Sequence, residues 1–470
     1  MSDVVYLGRF KHDMLLETAK IFVVIEMTAV FSVVWLMFYA DRIRTPYYFW
    51  GDVCIIALFM AAYIMLGKTY DAFMVSVAHV SETVYSQFLT ILFTDFCMYI
   101  LICLLSSRLA APVPLLVCFV VQLLLALLWC FAANKLYYAI FPPKKSAIIY
   151  DNRKGFEKLI NTYGLDRKFT VEAVVDTENC LRDINMLEDF DTVFLSGVHS
   201  KDRNVILKYC VENDIEVYVV PRVGDVIMSS AKRVHMFHLP IMKVARYSPS
   251  PVYLFLKRLF DIFVSSVSLI LLSPVFLVTG LAIKLTDGGP VFYKQKRLTK
   301  NRKEFYIHKF RSMRVDAEKD GVARLSTGEK DDRITPVGRI IRKVRIDELP
   351  QLIDILVGNL SIVGPRPERP EIAEQYEKEL PEFKLRLQVK AGLTGYAQVY
   401  GQYNTTPYDK LQMDLIYIAN TSVLEDLKIC FATVKILFMP ESAEGVAEGQ
   451  TTAMGSWKEN ESTDDQMNEV

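Results

Sequence analysis

Four apolar runs in the first third of the chain constrain its fold more than any other feature. They cover residues 21–39, 49–66, 88–105 and 112–133. Each is about 18–22 residues long, enough to cross a hydrocarbon core of about 30 Å at about 1.5 Å per residue. A chain with four such runs is expected to fold in a bilayer. The first run is not followed by a small-residue cleavage site, so it reads as a retained helix and not a signal peptide. Glu26, Asp52, Asp95 and Gln122 interrupt the apolar pattern. Carboxyls are costly in lipid, so these groups should face the bundle interior or, for Asp52, the interface. Basic residues in short loops set the orientation. With the N-terminus in the cytoplasm, the inner side holds Arg9, Lys11, Lys20, Lys68, Lys135, Lys144 and Lys145, and the outer side Arg42, Arg44 and Arg108. Seven against three places both ends of the four-helix part inside.

Composition excludes other classes. The 470 residues carry 54 Lys+Arg and 54 Asp+Glu. A chain of zero net charge is not a dedicated nucleic-acid binder, and no nucleic-acid partner is expected. Aromatic residues make up 12%, too many for a mainly disordered chain. Eight cysteines, with no C-x-x-C pair and five of them inside apolar runs, read as reduced thiols and not as a disulfide scaffold.

From residue 144 the texture becomes that of a water-soluble α/β domain. Short β-branched runs at 147–150, 170–175, 192–195 and 216–220 alternate with helical stretches at 153–163 and 200–213. That alternation predicts a small parallel sheet of Rossmann-like type over 144–250. The turn after the first run, residues 150–155, lacks the glycines that let a backbone approach a pyrophosphate. A structural or regulatory role fits it better than cofactor binding. His235 and His238 have no partner ligands close by in sequence and read as ordinary surface or strand residues.

A fifth apolar run covers 259–283 and holds Ser273-Pro274 at its middle. Proline removes a backbone donor and kinks a helix, and a neighbouring Ser hydroxyl can satisfy a freed carbonyl in lipid. Both ends are basic, with Lys257 and Arg258 before the run and Lys284, Lys294, Lys296 and Arg297 after it. A spanning helix would put one cluster outside. The expectation is therefore a re-entrant helix over 257–284.

The stretch 290–350 has 17 Lys/Arg and 9 Asp/Glu, a basic patch suited to anionic headgroups or phosphates. Within it, Asp347-Glu348-Leu349-Pro350 reads as a helix start, with Pro350 in the first turn and Leu352, Ile355 and Leu356 on an apolar stripe. Free N–H groups at a helix start stabilise anions. A carboxylate there is either a plain N-cap or a nucleophile able to form an acyl phosphate. Arg342, Arg345 and a divalent cation could offset the repulsion between that carboxylate and a diphosphate. In Pro365-Arg366-Pro367, two prolines stiffen the backbone that presents Arg366, which can grip phosphate bidentately.

These residues bring the segment from Lys257 to about Phe438 into resemblance with the bacterial sugar transferases. That family comprises monotopic polyprenyl-phosphate phosphoglycosyl transferases that begin exopolysaccharide, capsule and O-antigen repeat units. The matching elements are Lys257-Arg258 with Asp261, the Ser273-Pro274 break, Gly289-Pro290-Val291-Phe292, Gln295, Lys309-Phe310-Arg311-Ser312-Met313, and Asp332-Arg333-Ile334-Thr335 with Gly338-Arg339. They continue with Asp347-Glu348-Leu349-Pro350-Gln351-Leu352, residues 361–367, Gly392-Leu393-Thr394-Gly395, Ala397-Gln398-Val399, Asp414 and Tyr417. The four helices and the α/β domain match the large form of the family by architecture more than by motif.

The resemblance implies an α-helical membrane bundle (1–143), a small Rossmann-like α/β domain (144–250) and a membrane-associated α+β catalytic domain with a re-entrant helix (251–440). It implies ping-pong transfer of a sugar-1-phosphate from a UDP-sugar to undecaprenyl phosphate at the cytoplasmic face of a bacterial inner membrane, with release of UMP. Asp347 takes the nucleophile's role, and Glu348 that of its Mg²⁺-associated partner. Substrate or phosphate binding falls on Lys309, Arg311, Ser312, Arg342, Arg366, Thr394, Gln398 and Asp414. Large relatives imply a homodimer. Tyr400-Gly401 departs from the common Asn-Gly, which bears on sugar choice, and Gly358-Asn359-Leu360-Ser361 departs from the common Gly-Asp/Glu-Met-Ser. The tail 441–470, with eight acids and one Lys, is expected to be disordered. The competing reading is a membrane-anchored nucleotide-binding or assembly scaffold without catalysis. The sugar itself stays open among galactose, glucose and N-acetylhexosamines.

Overall fold

The computed structural model describes residues 2–76, 80–106, 109–151, 157, 160, 165–236, 238–314, 333–401 and 406–437. Most of the expected helix over 153–163 and all of the tail 441–470 lie outside the described residues. The chain divides into two compact units, Met1–Val220 and Pro221–Val470.

In the first unit the four apolar runs form helices α1 (Ser2–Val34), α2 (Phe49–Thr69), α3 (Val80–Leu105) and α4 (Val113–Ile140). A five-residue π-helical turn, Trp35–Tyr39, prolongs α1. All four helices are long and apolar enough to cross a membrane. Their core is aromatic, with Phe31, Trp35, Phe59 and Tyr63 buried and Phe31 stacked on Phe59 at 4.3 Å. The polar groups within the spans face inward. Asp95 and Gln122 are buried, Gln122 donates to the Met27 carbonyl, and Asp52 accepts from the Trp35 indole at 2.9 Å. The outer faces stay apolar, as lipid requires.

The sheet that follows holds β1 (Lys144–Tyr150), β2 (Phe169–Asp176), β3 (Thr192–Ser196) and β4 (Glu216–Val219). Its order is β2-β1-β3-β4, parallel throughout. All five residues of β3 are buried, the mark of a strand covered on both faces. Helix α5 (Ser200–Glu212) connects β3 to β4 and packs Ile206 and Cys210 on the sheet.

Residues 221–250, grouped by sequence with the α/β domain, lie in the second unit. The sheet ends at Val219, and Val226 already belongs to the second unit's core. A two-stranded hairpin, β5 (Lys232–Met236) and β6 (Leu239–Lys243), places His235 on an exposed strand and His238 in its turn.

The fifth apolar run becomes helices α6 (Pro251–Leu271) and α7 (Ser273–Asp287), bent by 62° at Leu272. Ser250 caps α6 by accepting from the Tyr253 N–H, with Pro251 in the first turn. At the bend, the Ser273 hydroxyl donates to the Ile270 carbonyl at 2.8 Å. Leu259, Phe263 and Ile270 on α6 and Leu277, Leu281 and Leu285 on α7 are exposed. That continuous apolar surface suits lipid.

The opposite face of α6 is polar and docked. Residues 253, 257, 258 and 261 share one side at helical spacing. Lys257 pairs with Asp426 at 2.8 Å. Arg258 donates to the carbonyls of Ile355 and Leu356, both at 2.7 Å. Asp261 accepts from the Ser361 hydroxyl and from the Ile362 N–H at 2.9 Å.

The remainder of this unit comprises the antiparallel pair β7 (Phe292–Leu298) and β8 (Glu304–Phe310), then α8 (Pro336–Lys343) and α9 (Gln351–Val357). Strand β9 (Ser361–Val363) pairs in parallel with β10 (Gly392–Thr394), and α10 (Pro370–Glu379), α11 (Pro407–Ala419) and α12 (Val423–Leu437) complete it. Its core gathers Leu352, Ile355, Ile362, Phe383, Leu411 and Ile429.

Candidate active site

Asp347 and Glu348 do not open an α-helix. They sit in a separate 3₁₀ turn, Ile346–Glu348, and α9 begins only at Gln351 and has seven residues. Arg345, left-handed at φ 54°, makes the corner between α8 and that turn. A non-glycine residue in this region is strained and is held by its surroundings. The expected helix start is thus a 3₁₀ turn beginning at Ile346, whose helical backbone continues through Leu349 and Pro350 into α9.

Glu348 is the hub. Its Oε1 accepts from Lys309 Nζ on β8 at 2.8 Å and from Arg366 Nη2 at 3.1 Å. Burial alone would raise its pKa, but Lys309 and Arg366 outweigh burial and hold the carboxyl well below the usual range. Asp347 moves the other way. Burial raises it, the neighbouring Glu348 charge adds to that, and Lys309, Arg342 and Arg366 only partly offset the rise. The two adjacent carboxyls are therefore pulled apart, the pattern that gives two acids different tasks.

Arg366 is held by its own backbone as well as by Glu348. Arg386 Nη2 donates to the Arg366 carbonyl at 2.9 Å, and Arg297 Nη1 donates to the Pro367 carbonyl at 3.0 Å. Arg386 is in turn fixed by Asp414, with Nε at 2.8 Å and Nη2 at 2.7 Å from Oδ2. The Arg366 side chain remains 45% exposed. A stiff strap thus aims an accessible guanidinium at the dyad.

The structure divides the residues expected to bind substrate. Lys309, Arg342 and Arg366 converge electrostatically on Asp347. The others make contacts within the fold. Arg311 is buried with its guanidinium against Gly289, where a Cβ would stand 2.1 Å from Nη1. The Ser312 carbonyl accepts from the Thr335 N–H at the start of α8 and lies where a Cβ on Gly338 would come within 1.9 Å. Thr394 bonds Thr433 at 2.6 Å, and the Gln398 amide donates to the Leu393 carbonyl. Asp414, 1% exposed, lies behind the strap on Arg386. Lys257, Arg258 and Asp261 dock α6, and Ser273-Pro274 makes its bend.

Sequence reading gave Arg297 only as a basic residue flanking the fifth apolar run, and it missed Arg386 and the buried Asp354, which accepts from His308 Nδ1 at 2.7 Å and ties α9 to β8. Among the described residues no group of three or more His, Cys, Asp or Glu is placed to hold a metal. A cation here would rely on the dyad and on substrate oxygens.

The family model for bacterial sugar transferases matches residues 252–440. The chain is 37% identical over 234 residues to the UDP-N-acetylgalactosamine-undecaprenyl-phosphate N-acetylgalactosaminephosphotransferase of Aeromonas hydrophila, covering 49% of this chain and 54% of the relative. It is 34% identical over 261 residues to the UDP-glucose:undecaprenyl-phosphate glucose-1-phosphate transferase of Klebsiella pneumoniae, covering 54% and 56%. The match therefore spans about half the length of these two relatives. A longer match, 32% identical over 349 residues, covers 66% of this chain and 76% of the galactosyl transferase CpsE of Streptococcus agalactiae serotype III.

The opposed shifts predict one titration. Glu348→Gln removes the negative charge that helps raise Asp347, so the Asp347 carboxyl should titrate at lower pH than in the wild type. Carboxyl-carbon NMR of aspartate-labelled protein reads this directly. An unmoved or upward-moved titration contradicts the charge assignment.

Proposed function

This chain belongs to the bacterial sugar transferase family, and from that premise we propose that it transfers a sugar-1-phosphate from a UDP-sugar to undecaprenyl phosphate and releases UMP. The observation that carries the proposal is the dyad, where Glu348 absorbs two cations and leaves Asp347 beside them with its carboxyl raised. A carboxylate of higher pKa is a better nucleophile once ionised.

The reaction runs in two halves. An Asp347 oxygen forms a bond to the sugar-bearing phosphorus while the phosphoanhydride bond breaks, and UMP leaves with that electron pair. The product is an acyl phosphate carrying the sugar. A phosphate oxygen of undecaprenyl phosphate then attacks the same phosphorus, the bond to Asp347 breaks, and the carboxylate is restored. Lys309, Arg342 and Arg366 offset the repulsion between Asp347 and the diphosphate and stabilise the charge that builds on phosphorus. Glu348, kept ionised and bonded to both cations through Oε1, suits a Mg²⁺ ion, which takes one or two carboxylates together with substrate phosphates. When bound, the ion would neutralise diphosphate charge and polarise the reacting phosphorus.

The bent pair α6–α7 is read as a re-entrant helix that enters and leaves by the cytoplasmic leaflet of a bacterial inner membrane. The 62° bend, the Ser273 bond to Ile270 and basic residues at both ends support this. It would set Asp347 at the interface where a soluble donor meets a lipid acceptor. The parallel sheet β2-β1-β3-β4 is read as a Rossmann-like domain without a catalytic role.

Protein in nanodiscs, given undecaprenyl phosphate, Mg²⁺ and a panel of UDP-sugars, should release UMP from a preferred donor, which identifies the sugar. Asp347→Asn should abolish release while still inserting in membranes. UDP as the product, or a fully active variant, overturns the reading. In a background with the native cysteines replaced, single cysteines at the exposed positions 252 and 284 should react with an impermeant thiol reagent from the same membrane face. Labelling from opposite faces would rule out the re-entrant helix.

A further inference from the structure

Helix α11 carries Lys410 one turn before Asp414. Asp414 is locked to Arg386, and Arg386 holds the Arg366 carbonyl, so this helix face lies against the strap that presents Arg366. The charged groups facing Lys410 are Glu368, Arg386, Arg366 and Asp414. Both acids already have a cation, since Asp414 Oδ2 takes Arg386 at 2.7 Å and Glu368 Oε1 lies 3.5 Å from Arg386 Nη1. Among the described residues, the half-buried Lys410 ammonium has no hydrogen-bond or ion-pair partner. Burial, its largest influence, pushes its pKa below the ordinary lysine value. A partly desolvated cation without a bonded partner, beside acids already engaged by another cation, is costly to keep. It makes sense where an anion arrives and leaves.

We propose that Lys410 is a second phosphate grip beside Arg366, donating to a phosphoryl oxygen of a substrate during turnover. The inference rests on the phosphate-transfer reading above. The ligand chemistry is a phosphate oxyanion, which either the nucleotide donor's diphosphate or the lipid acceptor's monophosphate can supply. Arg366 offers a planar fork and Lys410 a point charge, so the two would hold different oxygens.

The test uses the full chain in nanodiscs and compares wild type with Lys410→Gln, which keeps length and polarity, and Lys410→Arg, which keeps the charge. KM is measured by UMP release, first with UDP-sugar varied and then with undecaprenyl phosphate varied. Losing a hydrogen bond to a charged group is worth about 1.5–3 kcal/mol, so one KM should rise at least about tenfold in Lys410→Gln. The kcat should change much less, and Lys410→Arg should recover most of the loss. A rise in the donor KM assigns the diphosphate, and a rise in the acceptor KM assigns the lipid phosphate. Both values within twofold of wild type in an active, folded Lys410→Gln protein overturn the inference and leave the transferase reading intact. If Lys410→Gln does not fold, Lys410→Met is measured in its place against the same limits. Wild-type protein that releases no UMP overturns both.

Discussion

One carboxylate oxygen, Oε1 of Glu348, joins three separate stretches of chain. It draws Lys309 from β8 and Arg366 from the loop after β9 onto the turn that carries Asp347. In bulk water such pairs contribute little, but in this sheltered setting they decide charge states. By engaging the cations, Glu348 remains ionised and the neighbouring Asp347 is left with a raised carboxyl. Two adjacent acids thereby acquire separate characters, one held ionised and the other with its carboxyl raised. The left-handed Arg345 turns the chain out of α8 into the 3₁₀ turn that carries both acids.

The same unit solves a second problem, which is how to fasten the site to an apolar, bent helix pair. Helix α6 does so with one polar face. Asp261 grips β9, the strand that leads into Arg366, and Arg258 caps the last carbonyls of α9, the helix that follows the dyad. Lys257, Tyr253 and Tyr417 converge on Asp426. Each charge that this face of α6 takes out of water has a partner, as burial demands. Both elements that flank the site are thus fixed to the one helix whose other face is apolar.

Much of this architecture is legible in the sequence because it is written as local periodicity. The four apolar helices, the strands near 147, 170, 192 and 216 and the break at Ser273-Pro274 all leave marks within a dozen residues of themselves. The site is less legible, because its bonds join distant positions. Lys309 and Glu348 are 39 residues apart, and Arg386 and Asp414 are 28 apart. Arg386 lies in an irregular 3₁₀ stretch, Pro381–Gln388, with no pattern to single it out. Asp414 is recognisable as a motif residue, but only its burial on Arg386 shows that it supports the strap. The helix start expected at Asp347 appears as a 3₁₀ turn from Ile346, set by the corner at Arg345, and the α-helix proper begins at Gln351.

The account stands on Asp347 carrying the sugar phosphate between donor and acceptor. The most direct measurement is the intact mass of purified protein incubated with its preferred UDP-sugar and no undecaprenyl phosphate. The account predicts a mass gain equal to one sugar phosphate, mapped by peptide sequencing to Asp347 and discharged when undecaprenyl phosphate is added. Donor turnover that proceeds normally on adding acceptor, with no adduct at any time and none on Asp347, would contradict it.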